Sequence, residues 1–157
     1  MATNTIIQNL NTELYSAYPG GSTESVPTSS MNRRQTETFW ASAAIAAGDF
    51  VALDFSKTAD GDKALYVLKS DAASGQKVCV VGVALAAAAS GEKVEVCIAG
   101  ICDANVDAAT VAGSMLGFGA TAGRAAIITN TDVKPIVAIA CEADTANIAT
   151  VCVLKQF

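Results

Sequence analysis

The stretch from Ser74 to Cys102, SGQKVCVVGVALAAAASGEKVEVCIAGIC, states one phrase twice. Ser74-Gly75-Gln76-Lys77-Val78 returns as Ser90-Gly91-Glu92-Lys93-Val94. Each copy is a small polar turn that launches a run of Val, Ile, Cys and Ala, ending at Gly82-Val83 in the first and at Gly100-Ile101 in the second. Val94, Val96 and Ile98 alternate with Glu95, Cys97 and Ala99, the period that turns one side of a strand inward and the other outward. Residues 78 to 89 are almost wholly apolar, which suits a strand buried on both faces and then a bend of small residues. A helix would have to carry Gly82 within a cluster of valines, and both residue types disfavour it. The stretch predicts two turn-strand units back to back, and with them an all-β fold.

The same grammar extends on either side. Ala47-Gly48-Asp49 is a turn signal before the short strand Phe50-Val51-Ala52-Leu53, and Ala112-Gly113-Ser114 precedes Met115-Leu116-Gly117-Phe118 in the same way. Asp60-Gly61 lies between Phe55 and the run Leu65-Tyr66-Val67-Leu68, which predicts a hairpin with a tight Asp-Gly turn or a longer loop. Asp60 and Asp62 lack the further oxygen ligands of a calcium loop, so that turn is read as structural. Asp103 to Ala112, rich in alanine with aspartates near its start and Gly113 at its end, is the place for one short helical turn. Gly117, Gly119 and Gly123 punctuate a hairpin-like segment, and Asn130-Thr131-Asp132 makes a further turn. Ile136 to Ala140 and Thr150 to Leu154 supply the last strands. Eight or nine short strands spaced by turns predict a sandwich or barrel.

Residues 1–38 read differently, as an extended N-terminal arm ahead of a β domain at 39–157. They are rich in Asn, Thr, Ser and Gln, are broken by Pro19-Gly20-Gly21 and Pro27, and offer only Ile6, Ile7, Leu10, Leu14, Tyr15 and Tyr18 for packing. Either the segment is a frayed terminus or part of it lies on a surface, its own or a neighbour's. Phe39 and Trp40, the adjacent aromatic pair after it, are expected to anchor the core or the arm.

Composition bounds the function. The chain has 157 residues, enough for one core without staples, but that core must be built from small side chains because the chain is 52% hydrophobic and only 6% aromatic. A formal charge of −5 leaves no basic footprint for nucleic acid. The first residues lack the pattern of a signal peptide, and no apolar run approaches the roughly 20 residues that span a bilayer, so neither export nor a membrane is expected. Cys79, Cys97, Cys102, Cys141 and Cys152 stand among Val, Ile and Ala with no CxxC, and the chain has no histidine. They are therefore expected to be buried free thiols and neither a zinc site nor a disulfide framework. No nucleophile elbow, phosphate loop or general-base histidine is found, and the carboxylates at Asp49, Asp54, Asp71, Glu92, Glu142 and Asp144 are scattered over turns. No enzyme, metal or cofactor is expected.

Val81-Gly82-Val83-Ala84, the alanine run, Ser90-Gly91-Glu92-Lys93-Val94-Glu95-Val96 and then Ala99-Gly100-Ile101 resemble the core of the capsid cement (head decoration) proteins of tailed bacteriophages. The likeness takes in Ala47-Gly48-Asp49-Phe50-Val51 and Ala112-Gly113, and covers roughly residues 45 to 120. The resemblance implies a small β-barrel or β-tulip-like sandwich that binds the outer surface of an icosahedral phage head and stabilises it, commonly as a homotrimer. Its partners would be the major capsid protein, further copies of itself and neighbouring cement subunits. It would reside on the virion, after a stage in the host cytoplasm. In that setting the arm residues Ile6, Ile7, Leu10, Leu14, Tyr15 and Tyr18 would seat in a groove of a neighbouring subunit, Arg33 and Arg34 would pair with carboxylates there, and Phe39 and Trp40 would complete the contact. A carbohydrate-binding or adhesion module is the alternative, and its mark would be a cluster of exposed aromatics on one face.

Overall fold

The structure, a computed structural model, describes residues 34–71, 79–129 and 135–155. Nine strands form among them: β1 (Arg34–Ala41), β2 (Phe50–Leu53), β3 (Tyr66–Lys69), β4 (Val80–Ala84), β5 (Lys93–Asn105), β6 (Met115–Phe118), β7 (Ala125–Ile127), β8 (Ala138–Ala140) and β9 (Ile148–Val153). They join in the order β1-β3-β2-β4-β5-β9-β8-β6-β7. Because β1 also pairs with β5, the first five strands close into a barrel, and the other four continue from β5 as a wing, whose last strand touches the chain after β5 through the bridge of Ala125 to Val106. The expected all-β barrel architecture is therefore present.

β5 belongs to both halves. Lys93 to Gly100 run antiparallel to β1, Val96 and Cys97 pair with β4, and Gly100 to Asn105 pair with β9. The change of partner falls at an irregularity. Thr36 faces Cys97 and Gln35 faces Ala99, so Ile98 is skipped, and Gly100 takes φ 103°, which an L side chain rarely adopts. A bulge of this kind bends and twists its strand. Here it divides the strand's apolar residues between two cores: Val94, Val96 and Ile98 join the cluster inside the barrel, whereas Cys97, Cys102 and Ala104 join the cluster under the wing. Alternation holds at Cys97, but the side opposite Val96 and Ile98 is covered by the wing, so Cys97 is buried and not on a solvent face.

The turn at Ser90 launches β5 as expected. Gly91 has φ 83° and its N–H donates to Ala41 O, while Glu92 Oε2 accepts from Ala89 N at 2.8 Å. Residues 74–78, the first copy of the phrase, lie outside the described residues, but the strand it was expected to launch is there: every residue of β4 is buried. Two expectations shift place. Asp103 to Asn105 end β5, and Ala109 has φ 69°, so no helical turn forms over 103–112. Pairing with β9 and burial of Ala104 and Val106 outweigh the local alanine preference. The short helix is instead α1 (Asp60–Lys63), inside the β2–β3 hairpin, where it replaces a tight Asp-Gly turn. Arg34 to Thr38, read above as the end of the arm, form the first part of β1, and residues 1–33 lie outside the described residues. No helix among the described residues is long and apolar enough to cross a membrane.

Candidate functional site

Of the residues expected to meet a partner, Ile6, Ile7, Leu10, Leu14, Tyr15, Tyr18 and Arg33 lie outside the described residues. Arg34 opens β1, half-buried, beside an open cleft of about 340 Å³ whose wall includes Leu85, Asp103, Asn105 and Ile148. Phe39 and Trp40 are separated by the pleat of β1. Phe39 is 5% exposed in the barrel core, whereas Trp40 is 37% exposed on the outer wall. Adjacent in sequence, the two rings cannot share a face of the strand.

Trp40 has other company. It lies opposite Tyr66 on β3 and opposite Lys93 on β5, so the outer wall carries the row Lys93, Trp40, Tyr66. Lys93 Nζ stands 5.1 Å from the centre of the Trp40 ring, and Lys57 Nζ stands 4.3 Å from that of Tyr66. These are cation–π distances. Leu65, whose carbonyl accepts from Trp40 N, and Phe55, which follows the Asp54 N–H bonded to Tyr66 O, are both exposed beside this row. Nothing local in the sequence joins Trp40 and Lys93 to one another or to the hairpin that carries Phe55, Leu65 and Tyr66, because only barrel closure brings β1 between β3 and β5.

A second exposed face lies on the wing. Met115 pairs with Ile139, Ile139 with Cys152, and Cys152 with Ile101, which lays an apolar row across β6, β8, β9 and β5. Beside it, Thr150 Oγ1 lies 2.9 Å from Asp103 Oδ1 and 2.8 Å from Glu142 Oε1. A hydroxyl has a single proton to donate, so these carboxylates compete for it.

The buried polar groups are structural. Asp49 accepts from Ala46 N at 2.8 Å and Asn105 Nδ2 at 2.9 Å, and pairs with Lys69 Nζ at 2.8 Å. This carboxylate ties the start of β2 to β3 and to the end of β5. Asp54 accepts from Ser56 N at 3.0 Å and Ser56 Oγ at 2.6 Å. Burial would raise its carboxyl, but the hydroxyls of Ser42 and Ser56, the Ser56 N–H and the Lys57 charge outweigh that and hold it below the ordinary value.

The cysteines are free, but not all are buried. Cys97 and Cys102 are in the core under the wing, Cys79 and Cys152 are half-buried, and Cys141 is exposed. The expectation of five core thiols is corrected accordingly: alanine and valine neighbours in sequence do not bury a residue that follows the last paired position of β8. The Cys97 thiol and burial push Cys102 up, and burial, Cys152 and Glu142 push Cys141 up. Among the described residues no group of three His, Cys, Asp or Glu side chains could hold a metal ion.

No family model matches the chain, and no curated protein matches it. Among solved structures, the crystal structure of the head fiber gp8.5 N base of bacteriophage phi29 is similar in fold, with a TM-score of 0.53 and 18% identity. The match covers 76% of this chain and 93% of that chain.

Proposed function

We propose that the protein is a non-enzymatic structural component of a phage virion: a cement or decoration protein that binds the outer surface of an icosahedral head and stabilises the shell. The observation that carries this reading is the fold shared with a phage head fiber base over nearly the whole of that domain. It agrees with the resemblance read in residues 45 to 120. The partners are the major capsid protein and further copies of the chain, which acts as a homotrimer; a specific interface of standard size buries about 1,600 Å² in total. In this reading the segment before β1 supplies an additional grip. Several such grips engaged together raise attachment through effective concentration. The carbohydrate-module alternative needs open aromatic faces, and lysines stand over the rings of Trp40 and Tyr66.

The test is co-sedimentation of the purified protein with emptied heads of its own virus, together with sedimentation of the free protein. Saturable binding and a trimeric mass are expected. Failure to co-sediment overturns the cement role, and a monomer bound away from three-fold positions overturns the trimer. Deleting residues 2–33, which leaves β1 intact, should lower occupancy of the shell without lowering the melting temperature.

A further inference from the structure

We infer that the outer wall of the barrel around Trp40 and Tyr66 is a docking surface for a carboxylate-bearing segment of another protein. Trp40, Phe55 and Leu65 are 37%, 46% and 47% exposed; register sets Trp40 opposite Tyr66, and backbone hydrogen bonds bring the chain at Leu65 and just before Phe55 against the same two strands. Large aromatic side chains of this kind dominate binding energy at protein interfaces when a partner dries them.

The charges select the partner. Among the described residues no ion pair is formed by Lys57 or Lys93, and each Nζ stands over a ring. A ring satisfies an ammonium by its quadrupole and leaves N–H donors pointing away from it. A carboxylate arriving from outside can take those donors without displacing anything. The acids nearby are otherwise engaged or stand at the margin. Asp54 is buried and bonded by Ser56, Glu92 accepts from Ala89 N, Asp62 lies in α1 three residues before Leu65, and Glu95, exposed, lies two residues along β5 from Lys93, opposite Thr38. In a chain of charge −5, an aromatic surface headed by two ammonium groups in no direct ion pair among the described residues, Lys57 acting on Asp54 only through its charge, is complementary to acidic groups set around an apolar anchor.

The chain contains a single tryptophan, so Trp40 emission reports on this surface directly. The experiment titrates the full chain with a glutamate-rich peptide carrying two leucines, with its glutamine and lysine counterparts, and with a neutral oligosaccharide. The expected result is a saturable shift of Trp40 emission with the glutamate peptide alone. Binding should weaken at least about tenfold in Lys57→Glu/Lys93→Glu. It should be largely lost at about 1 M salt, where the Debye length is roughly 3 Å. Circular dichroism checks that the variant folds, and Lys57→Gln/Lys93→Gln serves if it does not. Equal binding of the glutamine peptide, preference for the lysine peptide, a response only to the oligosaccharide, or no response to any of them each overturns the inference.

Discussion

The barrel and the wing bury cores of different grain. Inside the barrel the cluster is built from Phe39, Ile45, Val51, Val67, Val81, Val94, Val96 and Ile98, with few alanines between them. Under the wing, Phe50, Leu116 and six valines share fifteen places with Cys97, Cys102, Ala104, Ala125, Ala138, Ala140 and Ala149, so small side chains take nearly half of that cluster. Burying a valine or larger side chain contributes about 1.5 to 3 kcal/mol, and an alanine methyl far less, so the wing gains less per residue ordered. The edges differ as well. The barrel strands are paired all round, whereas the last strand of the wing, the three residues of β7, meets the chain after β5 through a single bridge, Ala125 to Val106. The lesson is one of dependence: the wing's core is completed by Phe50, Val80, Val83 and Cys97 from the barrel's outer wall, so the wing cannot pack without the barrel.

The largest test strikes the barrel. A Cβ at Gly82 would run into the carbonyl oxygen of Cys97 and come within 2.9 Å of Val96 Cγ1. The backbone between β4 and β5 has nowhere to go. Gly82→Ala should cost about 4 kcal/mol or more and leave no folded protein by circular dichroism, whereas Gly61→Ala, with nothing within 4 Å, should be nearly neutral. A stable Gly82→Ala protein would break the comparison.

Next is the tie between the halves. Asp49→Ala orphans Ala46 N, leaves the Asn105 amide with Ala47 O alone and frees Lys69, and should cost about 2 to 4 kcal/mol in chemical denaturation. Appearance of a separate early transition would show that the wing has come loose first and would sharpen the contrast. A single transition at unchanged midpoint would remove Asp49 from the tie.

The wing's own tight glycine should be gentler. A Cβ at Gly117 would come within 2.7 Å of Ile128 Cδ1, the far end of a flexible side chain, and 3.1 Å from Pro135 O. Gly117→Ala should cost about 1 to 3 kcal/mol, and Gly117→Ala/Ile128→Ala should recover part of it. No equivalent rescue exists at Gly82, where the obstacle is backbone.

The acid response should come partly from the barrel. Because the folded carboxyl of Asp54 is held below its ordinary value of 3.8, its stabilisation is fully present above that value and is lost as pH falls through the folded one. Denaturant midpoints measured on descending from pH about 5 to about 3 should drop, and drop less in Ser56→Ala. An identical acid slope in Ser56→Ala would exclude the Ser56 hydroxyl as a cause.

The smallest effect is expected at the exposed thiol. Cys141→Ser should change stability by no more than about 0.5 kcal/mol. In the native protein Cys141 should react first with a thiol reagent, faster as pH rises toward its elevated value, while Cys97 and Cys102 react only on unfolding. Early labelling of Cys97 or Cys102 would mean that the wing opens readily from the barrel.

Much of the fold was legible and less of the surface. Ser90-Gly91-Glu92 marked the start of β5, and the apolar run after Cys79 marked the buried β4, because turns and burial on both faces leave local signatures. The end of β5 was hidden. Asp103-Ala104-Asn105 look like a helix start taken alone, and they are strand only because β9, far along the chain, pairs with them. The outer row failed for the same reason: Trp40 was visible, but Tyr66, Leu65 and Phe55 were not recognisable as its neighbours until β1 and β3 were seen side by side.

What the sequence determined by itself is the all-β class, the approximate number of strands and most of their turns, since alternation, glycine and the Ser-Gly steps act within a few residues of one another. Only the tertiary structure decided that β1 returns to β5 to close a barrel, that the bulge at Ile98 and Gly100 divides one strand between two cores, and that Phe39 turns in while Trp40 turns out beside Lys93 and Tyr66. The physical reason is range. A strand's period is set by its own backbone, but its partners, its buried face and its exposed face are set by residues far away in the chain.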